Sequence, residues 1–193
     1  MMNIKLSVTT VALALWLFGP PAMAGQAEDK VALCAGCHGP NGRSQVPDNP
    51  ILAGQHPDYL AGALQAYASG GRDYAIMKTL AGRLSPGDIE VISAYYAAQP
   101  PGQSQARAAG DAARGETLTA VCAACHGPGG HSAIPANPKL AGQHAKYLSH
   151  ALAAYKNGGR TNPVMAPMAA NLSEQDIADI AAYYASQPVQ SAK

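Results

Sequence analysis

The chain is poor in the side chains that usually fill a protein core. Its 193 residues include one Trp and one Phe, and both, Trp16 and Phe18, fall near the N-terminus. Charge is scarce as well: charged residues make up 13%, with Lys+Arg 13 against Asp+Glu 12. A net charge of +1 provides neither the basic stripe that nucleic acid requires nor a single-signed field for steering a charged partner. The marked apolar run, Val11–Phe18, is too short to span a bilayer. Strict apolar–polar alternation, the signature of a half-buried strand, appears nowhere. Gly 20 and Pro 15 break the chain too often for one long helical rod, yet it is too apolar to be disordered.

What is present begins with a leader. Lys5, the apolar Val11–Phe18 and the small-residue Ala22-Met23-Ala24 form the pattern of a secretory signal cut after Ala24, so residues 1–24 are expected to be a signal peptide. An uncleaved anchor is the weaker reading. Cleavage leaves 169 residues with 12 basic and 12 acidic side chains (only Lys5 is lost), no Trp, no Phe, and nine Tyr as the sole aromatics.

That remainder is one unit written twice. A shift of 88 residues lays Glu28–Pro100 on Glu116–Pro188 without a gap, and 40 of the 73 pairs are identical. LAGQH at 52–56 returns at 140–144, GGR at 70–72 returns at 158–160, and Tyr95-Tyr96 returns as Tyr183-Tyr184. Between the copies, residues 101–110 (PGQSQARAAG) have the composition of a linker. Two domains are expected, 25–100 and 111–193. Each is close to the size at which side chains alone give marginal stability, so something else is expected to fill the core.

Helical signals dominate each copy, and the fold class is all-α. A short helix from about Glu28 runs into Cys34. A second covers about Pro57–Ser69, with Tyr59, Leu60, Leu64 and Tyr67 at helical spacing and Gly70-Gly71 as its stop. A third begins at Ser85, with Pro86 first in the helix and Asp88 completing a capping box in place of the usual Glu. Ile89, Ile92 and Tyr96 form its apolar stripe and Pro100 ends it. The second copy repeats this from Ser173 and Asp176.

All four cysteines lie in two pentads, Cys34-Ala-Gly-Cys37-His38 and Cys122-Ala-Ala-Cys125-His126. In this spacing two thiols can add to the two vinyl groups of a haem, and the next residue offers an imidazole to its iron. A zinc site would have to join pairs 84 residues apart, far beyond ribbon spacing. A thioredoxin-like motif would need a βαβ context. Disulfides within each pair would close strained loops and leave both His without a role. Two covalently attached haem c groups are therefore expected, held by Cys34, Cys37, Cys122 and Cys125, with His38 and His126 as iron ligands.

After cleavage the methionines are Met77, Met165 and Met168. Met77 follows His38 by 39 residues and Met165 follows His126 by 39, so these two are the expected second axial ligands. Met168, which aligns with Leu80, is expected to be filler. A thioether opposite imidazole favours Fe(II) and raises the potential. His131 and His150 align with Arg43 and Gly62 and read as surface residues. His56 and His144 repeat within LAGQH; a structural role is favoured over propionate contact or alternative ligation. The tyrosine pairs are expected to pack on haem, and Arg72 and Arg160 either meet propionates or are solvated.

These elements together resemble the dihaem cytochrome c4 family, a tandem duplication of the class I cytochrome c fold. The matching elements are the two pentads, Asn49–Leu60 with Asn137–Leu148, GGR, and Met77–Ile89 with Met165–Ile177. The resemblance covers nearly the whole mature chain. It implies two tandem cytochrome c-like domains, each wrapped around one haem c. It also implies that the carbonyls of Pro50 and Pro138, each twelve residues after the haem His, accept a hydrogen bond from that imidazole. In function it implies a periplasmic or membrane-surface electron carrier between a quinol-oxidising complex and a terminal oxidase. A first rival is the electron-accepting subunit of a periplasmic dehydrogenase, such as a flavocytochrome sulfide dehydrogenase. A second, an enzyme or gas sensor with an open haem, is disfavoured by a usable Met in both copies. No nucleic-acid partner is expected.

Overall fold

A computed structural model describes residues 22–190. The expected leader lies outside that range except for Ala22–Ala24, which open the first helix. The first half contains α1 (Ala22–His38), α2 (Pro57–Ser69), α3 (Ala75–Ala81) and α4 (Pro86–Ala97). The second contains α5 (Ala112–Leu118), α6 (Ala123–His126), α7 (Ala145–Lys156), α8 (Met165–Ala170) and α9 (Glu174–Ser186). No strand forms among the described residues, and the all-α expectation holds.

Local chemistry places the longer helices. Ser85 Oγ accepts from Asp88 N at 3.2 Å while Ser85 N donates to Asp88 Oδ2 at 3.0 Å. Ser173 and Asp176 repeat the pair at 3.1 and 3.0 Å, so Asp serves in this capping box as the shorter relative of Glu. Pro57 and Pro86 occupy the first turns of α2 and α4, where a missing N–H costs nothing. Gly70 closes α2 in the left-handed conformation, φ 84°.

Two departures from the expected elements stand out. The first helix does not stop at Cys34 but continues to His38, so the whole pentad is helical. The second copy breaks between α5 and α6. There Thr119 stands in place of Val31, and its hydroxyl donates back to the Glu116 carbonyl at 2.9 Å, competing with the helical ladder.

Each half has a small apolar core: Val31, Leu60, Ile92 and Tyr96 in the first, Leu148, Ile180, Ala181 and Tyr184 in the second. Gly42 and Gly130 let the two tyrosines in. A Cβ on Gly42 would sit 2.7 Å from the Tyr96 ring and one on Gly130 2.8 Å from the Tyr184 ring, both at positive φ, so only glycine fits.

The halves meet across an approximate two-fold axis. Ile51 N donates to Gln143 Oε1 and Gln143 Nε2 to Ile51 O, each at 2.9 Å. The mirror pair joins Gln55 to Lys139, N and O, also at 2.9 Å. His56 Nε2 lies 2.8 Å from Ser132 O, and His144 Nε2 lies 3.0 Å from Ser44 O. Backbone bonds Asp73 N→Gly159 O and Thr161 N→Gly71 O, both 2.8 Å, close an antiparallel bridge between Arg72 and Arg160. The segment following the first half is itself pinned to the second: Ser104 N donates to Gly142 O at 2.7 Å, and Gln103 Nε2 to Ala185 O and Gln187 O at 3.2 Å.

Candidate metal centres

The C-terminal end of α1 carries Cys34, Cys37 and His38 on little more than one turn. All four cysteines are free: Cys34 and Cys122 are partly buried, while Cys37 and Cys125 are exposed. Among the described residues no three His, Cys, Asp or Glu side chains converge to cage a metal ion.

His38 is 8% exposed and His126 7%. Each ring is held by one bond, His38 Nδ1 to Pro50 O and His126 Nδ1 to Pro138 O, both 3.0 Å. A carbonyl can only accept, so Nδ1 carries the proton and Nε2 is left with its lone pair. This is the tautomer a ligating imidazole needs. Burial pushes both imidazoles below their ordinary pKa, outweighing the raising effect of the proline carbonyls, which favours the neutral ring. Burial likewise pushes the Cys34 and Cys122 thiols up.

A residue to which the sequence assigned no role completes the loop. Asn49 Nδ2 donates to Cys37 O at 2.9 Å, and Asn137 Nδ2 to Cys125 O at 3.0 Å. Each asparagine precedes the proline that holds the imidazole, so one Asn-Pro step fastens the pentad at two points. The repeat of that dipeptide is visible in the sequence, but its target carbonyl is not.

Met77 lies in α3 and Met165 opens α8. Neither short helix was anticipated from the periodicity. In the first half Cys34, Cys37, His38 and Met77 line one cavity with Leu52, Leu64 and Tyr96. The second set occupies the matching positions of the repeat. Asn162 Oδ1 accepts from both Val164 N and Met165 N at 2.9 Å, which fixes the start of α8. Met168, at 40% exposure, points away from the core.

The other sequence candidates separate clearly. His56 and His144 serve the contact between halves, the structural role favoured for them. His150 is exposed and edges against Tyr74 of the other half, ring centroids 6.3 Å apart; His131 is half-buried rather than on the surface. Tyr96 and Tyr184 are 1% and 2% exposed, while Tyr95 turns its hydroxyl to Asn41 Oδ1 at 2.9 Å. Arg72 and Arg160 are 7% and 5% exposed, which eliminates the solvated alternative.

The cavity suits a large apolar macrocycle with anionic arms. Its wall is mostly aliphatic and aromatic, and it includes two thiols, an imidazole, a thioether and guanidinium groups. The buried hydroxyls of Tyr96 and Tyr184 have no hydrogen-bond partner among the described residues. Among the described residues there is no Trp or Phe to fill the space.

Comparison with known proteins agrees with this chemistry. The sequence matches the cytochrome c family over residues 22–95 and again over 112–187. It is similar to cytochrome c4 of Azotobacter vinelandii, 35% identical over 92% of this chain and 96% of that one. It is also similar to the thiosulfate dehydrogenase electron acceptor of Thiomonas intermedia, 30% identical over 97% and 93% of the two chains. Among solved structures, reduced cytochrome c4 of Pseudomonas stutzeri superposes with a TM-score of 0.76 at 33% identity, covering 86% of this chain and 98% of that one.

Proposed function

The chain belongs to the cytochrome c family, in its dihaem c4 group, and from that premise we propose that it carries single electrons in the periplasm from a quinol-oxidising complex toward a terminal oxidase. Two covalently bound haem c groups supply the one-electron Fe(III)/Fe(II) couples. The protein is an electron-transfer protein rather than an enzyme.

In this reading Cys34 with Cys37, and Cys122 with Cys125, attach the two macrocycles. A bound haem would supply the two vinyl groups, and these thiols are the groups that would bond to them. His38 and His126, through Nε2, and Met77 and Met165, through sulfur, are the residues that would hold the iron of a bound haem. The Pro50 and Pro138 carbonyls hold the imidazole planes and raise their basicity. Soft sulfur favours the ferrous state, which suits a carrier toward the oxidising end of a chain. Residues 25–100 and 111–193 form the two domains, residues 101–110 join them, and residues 1–24 direct export and are removed. Among the described residues no helix is long and apolar enough to cross a membrane; peripheral association with the membrane is part of this reading.

The observation that carries this reading is the lock of each pentad imidazole on its proline carbonyl, repeated at the same 3.0 Å in both halves. A second reading, an electron acceptor for a periplasmic dehydrogenase, is favoured by similarity over most of its length to the Thiomonas thiosulfate dehydrogenase electron acceptor.

Optical spectra of the purified protein, oxidised and reduced, with and without carbon monoxide, test the ligand set. A weak far-red sulfur-to-iron band for two haems and no response to carbon monoxide are expected. A carbon monoxide shift at either haem would mean an open iron and would overturn the carrier reading. Reduction kinetics with a quinol-oxidising complex against a thiosulfate dehydrogenase then separate the two donors.

A further inference from the structure

The segments that carry Met77 and Met165 align residue for residue, yet they are fastened unequally. In the second half Asn162 Oδ1 accepts from Val164 N and Met165 N, both at 2.9 Å, where α8 begins. Beyond the far end of α8, Lys156 Nζ donates from α7 to Leu172 O at 2.5 Å. Pro163 and Pro167 lie between these two anchors. The Met165 segment is thus tied at both ends.

The first half lacks these ties. Tyr74 stands where the second half has Asn162, and α3 starts without a side-chain cap. Ala75 and Thr79 replace the two prolines, Ala68 replaces Lys156, and Gly82 replaces Ala170. Among the described residues, one side chain bonds onto the backbone of α3: Thr79 Oγ1 donates to Ala75 O at 3.0 Å. That bond lies within the helix and competes with its ladder. Tyr74 turns outward, 42% exposed, and its ring edges against His150 of the second half.

The differences act in one direction. An oxygen that satisfies two amides holds the first turn of a helix, and each such bond biases a segment toward its closed state. Proline reduces, and glycine increases, the freedom gained when a segment comes loose. Release of α3 therefore costs less than release of α8, and local openings of this kind need no global unfolding. A thioether favours Fe(II) and holds Fe(III) less firmly, so the inequality matters most in the oxidised protein.

We propose that the first centre is a ligand-exchange site and the second is not: in the oxidised protein α3 releases Met77 and a small neutral nitrogen donor takes its place, while α8 retains Met165. The exchange moves no electron, since a nitrogen lone pair replaces a sulfur lone pair. Asn162 is a positioning residue that acts through the backbone of Met165. The inference rests on the assignment of Met77 and Met165 as iron ligands made above. Its consequence is that a small base silences one redox centre of the pair and leaves the other working.

The test is an imidazole titration of the oxidised, intact two-haem protein. It is followed by the far-red sulfur band and by haem-methyl proton resonances, assigned through contacts with Tyr96 and Tyr184. Half of the sulfur band is expected to disappear at imidazole concentrations about tenfold below those that remove the other half, with the resonances of the first half moving first. Asn162→Ala is expected to raise the affinity of the second centre several-fold and narrow that gap. Asn162→Asp, which can still accept from both amides, is expected to preserve it. Amide hydrogen exchange reads the same inequality with no added ligand. Lys78 N and Ala166 N make equivalent bonds, to Tyr74 O at 2.9 Å and Asn162 O at 3.0 Å, and Lys78 is expected to exchange several-fold faster after correction for neighbouring residues. Equal loss of the sulfur band at both centres, earlier loss at the second, or equal exchange of the two amides overturns the proposal. So does Asn162→Ala leaving the second centre as resistant as before. If that variant fails to fold, the titration and the amide exchange of the parent protein decide. A sulfur band missing before imidazole is added is a separate failure, which overturns the ligand assignment and this inference with it.

Discussion

The imidazole of His144 bonds to the backbone carbonyl of Ser44, 100 residues away in the chain, through Nε2 at 3.0 Å. Its other nitrogen, Nδ1, lies 2.7 Å from Ser104 Oγ, so one ring ties the first half, the second half and the segment between them. His144 is 2% exposed. Burial depresses its pKa below the ordinary 6.5, outweighing the raising effect of the Ser44 carbonyl.

Folded protein therefore binds a proton at His144 less readily than unfolded chain. Its contribution to stability is fully present above pH about 6.5 and is lost as pH falls toward the depressed value. Denaturant unfolding between pH 5 and 7 is expected to show stability rising with pH. His144→Ala is expected to remove that part of the slope and to cost about 1–3 kcal/mol, because the buried Ser44 carbonyl loses its donor. An unchanged slope would place the titration elsewhere.

Met165→Ala is expected to lower the potential of the second haem, leave the first nearly unchanged, and halve the far-red sulfur band. Loss of the thioether removes the ligand that favours Fe(II). Equal movement of both potentials would contradict the assignment of Met165 to one iron. Met77→Ala should do the converse.

The second half has a buried carboxylate, Asp179, where the first half has Val91. The carboxylate of Asp179, 0% exposed, accepts from Asp111 N at 2.7 Å, from Gln175 Nε2 at 2.8 Å and from Arg114. The Asp111 amide, and then the Arg114 guanidinium, hold this carboxyl below the usual carboxylate range. Its stabilisation is present above the ordinary value of 3.8 and fades as pH falls below it. Arg114→Ala is expected to lower the melting temperature of the second half selectively at neutral pH and to flatten its loss of stability below about pH 4, because Asp179 then titrates nearer its ordinary value. Calorimetry showing both halves destabilised equally would refute this.

Asn137→Ala removes the donor to Cys125 O while leaving Pro138 in place. A loss of about 1 kcal/mol in stability is expected, together with a shift in the second haem's methyl resonances as the imidazole plane loosens. Spectra identical to the parent would show that Pro138 alone sets the ring.

Much of the molecule can be read from the residues in order. The capping boxes at Ser85 and Ser173, the proline starts of α2 and α4, and the register of the repeat depend on neighbours within a few positions. α3 and α8 are different. At seven and six residues they are too short to display a period, so the sequence indicates their methionines but not the helices that bear them. LAGQH is a plain repeat in the sequence, yet Gln55, Gln143, His56 and His144 act on partners that lie 76 to 100 residues away. Nothing local could reveal that. Arg72 and Arg160 were ambiguous for the same reason, since the backbone bridge that joins them spans the two copies.

The Gln55–Lys139 and Gln143–Ile51 bonds have a consequence for how the protein responds to its own abundance. The contact is self-complementary, as in a two-fold dimer, but residues 101–110 make it intramolecular. Association that would otherwise depend on encounter becomes a property of each molecule, set by the reach of a short tether. Dilution cannot separate the two centres, so the distance over which they communicate is the same in a crowded compartment and at the lowest concentration at which the protein can be detected.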